Sequence, residues 1–310
     1  MPVISVIVPT FRRVPELARC LAALGRQGRP ADQIVVVCRD TDTDSHAAVA
    51  ESGKAIDLAL VGMGGQVAAM NTGLDAARGE IVAIIDDDTI PSPDWLERIE
   101  RHYANDARLG GLGGRDVVHH GERVVPASEA KVGIIELHGR IIGNHHIGLG
   151  AAREVHVLKG ANLSFRVAAL AGARFDSRLL GAGAQVCNEV GICAAVRRNG
   201  WRVVYDPAVV VDHFPAVRHD EDARNTFSPV AQHNATHNET LAVLDALPAW
   251  RRPLFLAWAF ALGTRASPGL LQAPRRLGRP ARPVAARVRA SLSGRWAGVK
   301  TWWRTSAGKK

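Results

Sequence analysis

Three consecutive carboxylates, Asp86-Asp87-Asp88, follow the apolar run Ile81-Val82-Ala83-Ile84-Ile85 with no spacer. Such a run reads as a strand buried on both faces. The acids then sit at its carboxyl end, where α/β sheets place their ligands. Three like charges at one point repel unless a cation or hydrogen-bond donors compensate. Carboxylates that share a cation with phosphate oxygens favour a hard ion, Mg2+ or Mn2+. The plain alternative is an acidic turn, because Asp is common in turns.

The elements that must position this cluster are legible upstream. Ile4 to Val8 is a second nearly continuous apolar run, ended by Pro9-Thr10. Leu17, Ala18, Leu21 and Leu24 then keep helical spacing up to Gly25. Strands follow at Ile34–Cys38 and Asp57–Val61, with helices over 45–53 and Gln66–Ala77. The order β-α-β-α-β-α-β predicts an α/β protein, a parallel or mixed sheet with helices on both faces. A helix over Asp94–Tyr103, capped by Ser92, follows the acids, and another spans Val186–Arg198. Short strands are expected at Trp201–Tyr205 and Val209–Val211. Residues 110–160, rich in Gly and His, read as strands and loops, and Gly110-Gly111-Leu112-Gly113-Gly114 is no dinucleotide fingerprint.

The chain has 310 residues, 47% of them apolar and 22% charged, which excludes disorder throughout. The net charge of +9 is unevenly spread. Residues 251–310 carry 14 Lys and Arg and no acid, whereas the first 250 carry 25 basic against 30 acidic residues. A basic appendix on a mildly acidic body is not a chain that binds nucleic acid along its whole length. The four cysteines lack paired spacing, which suits a reducing compartment rather than a disulfide scaffold or a CxxC metal site. With no secretory pattern and no apolar stretch of membrane-spanning length, a cytoplasmic location is expected.

Several segments in order carry a family resemblance. Ser5-Val6-Ile7-Val8-Pro9-Thr10-Phe11-Arg12-Arg13, Ala69-Met70-Asn71-Thr72-Gly73 and Ala77-Arg78-Gly79-Glu80-Ile81 precede the acids. Pro91-Ser92-Pro93-Asp94-Trp95-Leu96, Lys159-Gly160-Ala161-Asn162-Leu163-Ser164-Phe165-Arg166 and Phe175-Asp176 follow them. Tyr205-Asp206-Pro207 and Val211-Asp212-His213 come last. Together, over about residues 3–215, they resemble family 2 glycosyltransferases.

That resemblance implies a GT-A fold, a Rossmann-like mixed sheet flanked by helices, and transfer of a sugar from a nucleotide donor with inversion. It implies that Pro9, Thr10 and Arg12 lie at the nucleotide end of the first strand, with Asn71 near the donor. It makes Asp86 and Asp88 the two ends of a DxD motif, with Asp88 the metal ligand and Asp86 or Asp87 facing ribose or base. His213 is expected to reach the diphosphate or the metal, and Lys159 and Asn162 to lie on the acceptor side.

Two positions depart from the family pattern. Where it shows Glu-Asp before a helix ending in Arg-Arg-x-Gly, this chain has Asn188-Glu189-Val190-Gly191 and then Arg197-Arg198-Asn199-Gly200. Glu189 falls in the place of that Asp and is assigned as the base that deprotonates the acceptor hydroxyl; the bland alternative is a solvated helix residue. Where the family has an acid near the nucleotide base, this chain has Cys38-Arg39-Asp40-Thr41-Asp42, and Asp40 is the candidate substitute.

The domain reading is a transferase domain over 1–215, a helical extension over 216–250 and a basic, Trp-containing tail over 251–310. The tail joins Leu254, Phe255, Leu256, Trp258 and Trp296, Trp302, Trp303 to arginines, a composition suited to an anionic membrane surface. Nucleic acid and a flexible or partly helical solubilising arm are the alternatives. The function expected is metal-dependent transfer of a sugar from a nucleotide-sugar donor to a lipid-linked or cell-surface glycan acceptor. A nucleotide-sugar-binding module that has lost its base, or a sugar nucleotidyltransferase, is the alternative.

Overall fold

The computed structural model describes residues 1–53, 55–223, 226–272 and 281–307. They divide into two units. The first comprises 1–134, 142–175 and 192–217; the second comprises 135–141, 176–191 and 218–310.

In chain order the elements of the first unit begin with β1 (Ile4–Thr10), α1 (Val14–Leu24), β2 (Gln33–Arg39), α2 (Thr43–Glu51) and β3 (Asp57–Val61). They continue through α3 (Gln66–Ala76), β4 (Ile81–Ile85), β5 (Thr89–Pro91) and α4 (Trp95–Asn105). Next come β6 (Leu109–His120), β7 (Arg123–Val124), and the small pair β8 (Ile134–Ile135) and β9 (Ile141–Ile142). Then follow β10 (Arg153–Glu154), β11 (Asn162–Arg166), the short α5 (Val167–Leu170), α6 (Asn188–Arg198), whose first turn belongs to the second unit, and β12 (Arg202–His213).

The main sheet runs β10-β12-β6-β11-β4-β1-β2-β3, with β5 on β12 and β7 on β6. Strands β4, β1, β2 and β3 are parallel; β11 is antiparallel to both β4 and β6, and β6 is parallel to β12. The mixed sheet expected from the sequence is thus what forms. Its consequence is directional: β1, β4, β6 and β12 all end at one edge, and β11 begins there, with Asn162 opposite Ile85. The acids after β4 are therefore joined by whatever follows β1 and β12.

Burial explains why the early strands were legible. Every residue of β4 is buried, as are all of β1 but Pro9. Leu17, Cys20, Leu21 and Leu24 of α1 pack on one face of that sheet with Trp95, Leu96, Ile99 and Tyr103 of α4. Trp95 is fully enclosed and its Nε1–H donates to Asn162 Oδ1 at 2.9 Å, so its one polar atom is paired. The cap of α4 is Asp94 rather than Ser92, whose hydroxyl bonds Asp94 Oδ1 at 3.0 Å.

The Gly110–Gly114 run is part of β6, and its glycines answer to close packing. A Cβ on Gly114 would strike the Val209 carbonyl and the Asn162 amide, where the register of β12 against β6 shifts between Asp206 and Val210. Asn162 Nδ2 donates to that same carbonyl at 2.8 Å, so neither group has room to yield. Gly114→Ala is expected to cost about 3 kcal/mol or more, read as a lower urea midpoint with unchanged slope.

His145 lies beneath the sheet end of Tyr205, 3% exposed, with Nε2 at 3.0 Å from the Val157 carbonyl and the rings edge to face. Burial pulls its pKa down to about 4, and the carbonyl and Asp116 only partly oppose that. The unfolded chain therefore binds one more proton between the ordinary value of about 6.5 and about 4. Stability is intact above that window and is lost as pH falls through it, by on the order of 3 kcal/mol from this group. Urea melts of His145→Gln should show a correspondingly shallower fall between those pH values; an identical fall would contradict the assignment.

In the second unit, α7 (Pro229–Ala246) is capped by Ser228, which accepts from the Ala231 N–H at 3.2 Å. It is followed by α8 (Arg252–Ala261) and α9 (Ala281–Ala307). Helix α9 packs along α7 through Gly294 and Gly298, whose missing side chains admit the carbonyls of His233 and His237. The tail, expected to be flexible or partly helical, is thus helical over 281–307, while 273–280 and 308–310 lie outside the described residues. Among the described residues no helix is long and apolar enough to cross a membrane.

Candidate active site

Thr10, at the end of β1, donates its hydroxyl to Asp87 Oδ2 at 2.7 Å. Arg13, three residues on, pairs with Asp87 at 2.8 Å and with Asp88 at 3.7 Å. The turn after β4 is pinned from the other side by the segment after β12. The Phe214 N–H donates to the Asp88 carbonyl at 2.9 Å, and the Ala216 N–H donates to Asp88 Oδ2 at 2.9 Å. His213, the last residue of β12, places Nε2 3.3 Å from Asp88 Oδ1 and Nδ1 3.4 Å from Asp116 Oδ2. Lys159, just before β11, closes the chain by pairing with Asp116. The ends of β1, β4 and β12, the segment before β11 and the interior of β6 thus bring Thr10, Arg13, Asp87, Asp88, Asp116, Lys159 and His213 together, all within the first unit.

The charges divide by environment. Burial opposes ionisation of Asp88, but the His213 imidazole, the Ala216 N–H and the Arg13 guanidinium outweigh it and hold the carboxyl at about 2. Burial raises Asp87, Arg13 opposes and Asp88 reinforces, leaving it at about 7. Asp86, whose Oδ1 accepts from Gln66 at 3.2 Å, is pushed up by burial and then by the Asp88 charge. His213 is disfavoured as a cation by burial, yet the carboxylates of Asp116 and Asp88 raise it to about 9.

With Nδ1 turned to Asp116 Oδ2 and the proton on Nε2 displaced, His213 would offer Nε2 beside Asp88 Oδ1 as a partial donor set for a divalent cation. Cis ligands of an octahedral ion at about 2.1 Å stand about 3 Å apart, close to the observed 3.3 Å. His213 Nε2 and Asp116 Oδ1 are buried without an aligned hydrogen bond among the described residues. No group of three or more His, Cys, Asp or Glu able to hold a metal occurs among those residues. Two protein ligands leave the remaining positions to substrate oxygens and water, the usual arrangement for Mg2+ beside a phosphate.

Other expected site residues have structural partners. Asn71 clamps the Phe175 backbone, donating to its carbonyl and accepting from its N–H, both at 2.9 Å. Asn162 is buried and braces Trp95, Val209 and Arg115. Arg12 adopts a positive φ of 56°, held by its N–H donating to Asp42 Oδ2 at 2.6 Å. Its guanidinium lies 5.0 Å from the Phe11 ring centre, with Arg39 at 3.7 Å from the same ring. Asp40 is exposed, whereas Asp42 is buried and caps α2.

Glu189 stands in the first turn of α6, in the second unit, half-buried. The backbone leading to it is unusual, with Gln185 and Cys187 at φ of 43° and 68°, a region non-glycine residues seldom occupy. Asn188 secures this bend through Nδ2 to the carbonyls of Ala184 and Gln185. Glu221 and Asp222 hold the preceding loop by accepting from the N–H groups of Ala182 and Ala184. Non-glycine strain of this kind concentrates at functional sites.

Arg13 and Asp116 were not singled out in the sequence. Arg13 had a local signal, the Arg12-Arg13 pair directly after the first strand. Asp116 had none, because its meaning arises only when β6 lies beside β12.

Comparison with known proteins bears on the family and the fold. The sequence profile described as "Glycosyltransferase like family 2" matches residues 2–234. Glycosyltransferase AglE of Haloferax volcanii is 29% identical over 106 residues, 32% of this chain and 34% of that protein. An uncharacterized glycosyltransferase, EpsJ of Bacillus subtilis, is 30% identical over 118 residues, 36% of this chain and 34% of its own. The matches therefore span about a third of the length of these relatives. Among solved structures, S. aureus TarS 1–349 in complex with UDP-GlcNAc superposes with a TM-score of 0.59 at 17% identity, covering 99% of this chain and 92% of that one. The mannosyltransferase PcManGT from Pyrobaculum calidifontis, in complex with GDP-Man and Mn2+, gives 0.55 at 18%, covering 96% and 87%. The mixed sheet with flanking helices is thus that of GT-A glycosyltransferases, and by its profile match over most of its length this chain belongs to glycosyltransferase family 2.

Proposed function

We propose that this protein transfers a sugar from a nucleoside-diphosphate donor to a hydroxyl of a glycan or lipid-linked acceptor, with inversion at the anomeric carbon. The observation that carries the reading is the convergence of Arg13, Asp88 and His213 at the edge where four strands end. Asp88 and His213 would hold Mg2+ or Mn2+, which neutralises charge on the departing diphosphate when bound. Asp88 is ionised at any physiological pH, and the Ala216 N–H and Arg13 fix its orientation. Asp87 is tied to Thr10 and Arg13, which keeps the turn rigid and leaves Asp86, which accepts from Gln66, as the acid that would face ribose or base. The acceptor oxygen bonds to the anomeric carbon as the bond to the diphosphate oxygen breaks. The hydroxyl proton goes to Glu189, and attack opposite the leaving group inverts the centre.

An acceptor rich in hydroxyls suits the second unit, which contains a cavity of about 230 Å³ beside the loop before Glu189. Its walls include the amides of Gln185, Asn234 and Asn238 and the carboxylates of Glu221 and Asp222. Planar amides and carboxylates match sugar hydroxyls, which both donate and accept. The experiment is release of nucleoside diphosphate from a panel of GDP- and UDP-sugars with Mn2+. Release from at least one donor supports transfer. Binding without release points to a module without a working base, and pyrophosphate formation from nucleoside triphosphates points to a nucleotidyltransferase.

A further inference from the structure

The second unit carries a surface to which the proposed transfer step assigns no role. Helix α9 turns Gly294, Arg295 and Gly298 inward and leaves Arg289, Leu292, Trp296, Lys300, Trp303 and Arg304 on its outer side. The spacing of 289, 296 and 303 is two helical turns each time, so these residues form one stripe. Trp296 is 56% exposed and Trp303 is 69% exposed. Single exposed apolar residues are ordinary, but two tryptophans on one stripe, with half-buried Val299 between them and half-buried Leu292 one turn before Trp296, are not. Lys300 Nζ lies 5.6 Å from the Trp296 ring, so cation and aromatic face are already together.

Helix α8 adds to this. Its ten residues are apolar apart from Arg252, yet only Phe255 and Ala259 are buried, and Leu254 is 42% exposed. The Arg252 guanidinium sits 5.0 Å from the Trp302 ring centre, which brings the first turn of α8 beside the last turns of α9.

We propose that the outer stripe of α9 docks on an anionic lipid bilayer, lying in the plane of the interface. Charge complementarity names the occupant: residues 251–310 hold 14 basic residues and no acid. Each Lys or Arg near an anionic leaflet contributes roughly 1 kcal/mol, and tryptophan partitions to the headgroup level. Nucleic acid would reward the cations and stacked rings, but it offers nothing to Leu292 and Val299. Contact is lateral, since no described helix is built to cross.

The test is flotation of the full chain with vesicles of phosphatidylcholine alone or with ~30 mol% phosphatidylglycerol. The wild type is expected to partition at least about tenfold better onto the anionic vesicles, with a blue shift of tryptophan emission and loss of binding at high salt. Trp296→Ser with Trp303→Ser should lose about tenfold or more of that partitioning with an unchanged melting temperature. Arg289→Gln with Lys300→Gln and Arg304→Gln should lose the preference for anionic lipid. Equal binding to both vesicle types, no binding by the wild type, or unaltered binding by both variants overturns the proposal. So does a wild-type dimer that the tryptophan variant dissociates, which makes the stripe a self-association face. Binding of RNA or DNA with the same dependence on these residues, in place of vesicle binding, overturns it as well.

Discussion

Asp88→Asn is expected to lower turnover by about 10²–10³-fold or more, some 3–4 kcal/mol of transition-state stabilisation. The substitution preserves shape but removes the carboxylate of the Asp86-Asp87-Asp88 turn that is held firmly ionised. It takes one of two anionic partners from His213 and weakens the place where a cation would meet the leaving diphosphate. The fold should survive, because Arg13 keeps Asp87 and His213 keeps Asp116. Steady-state rates of nucleoside diphosphate release, with circular dichroism to confirm folding, check this. A variant with wild-type turnover would remove Asp88 from the mechanism.

Glu189→Gln should behave differently. Loss of a general base costs about 10²–10⁴-fold in turnover, while donor affinity stays within a few-fold of wild type. Glutamine retains the length and the hydrogen-bonding reach of glutamate but cannot accept the acceptor's proton at neutral pH. The discriminating result is a fall in kcat without a rise in donor KM. Full turnover with intact donor binding would return Glu189 to the status of a solvated helix residue and move the base elsewhere. Because Glu189→Gln should spare nucleotide binding and Asp88→Asn should not, each assignment stands or falls separately.

The strands that hold the acids were legible because burial on both faces writes a continuous apolar run. Ile81–Ile85 matches β4 residue for residue, and Asp57–Val61 matches β3. Strand β12 was read as two pieces because Asp206-Pro207-Ala208 breaks the apolar pattern. In the structure the break is a register shift within one strand. The Gly110–Gly114 run was unreadable as a strand for a different reason. Glycine carries no apolar signal, and the demand for it comes from Trp201, Leu158 and Val209, which approach it only in the folded sheet. The same logic separates the site residues. Asp86, Asp87 and Asp88 announce themselves by adjacency, and His213 by its motif. Asp116 enters only through cross-strand pairing, and Arg13 through a turn that folds it back over β4. Composition showed that residues 251–310 are basic and rich in Trp, but not that Trp296 and Trp303 share a face. That depends on an unbroken helix, which an Arg- and Gly-bearing sequence does not advertise.

The most direct test of the central claim is equilibrium binding of nucleoside diphosphates, by calorimetry with and without Mn2+, to the wild type, Asp88→Asn and Glu189→Gln. The account predicts Mn2+-dependent binding to the wild type and to Glu189→Gln, and its loss in Asp88→Asn. Binding that ignores Mn2+, or that Asp88→Asn leaves intact, would contradict it.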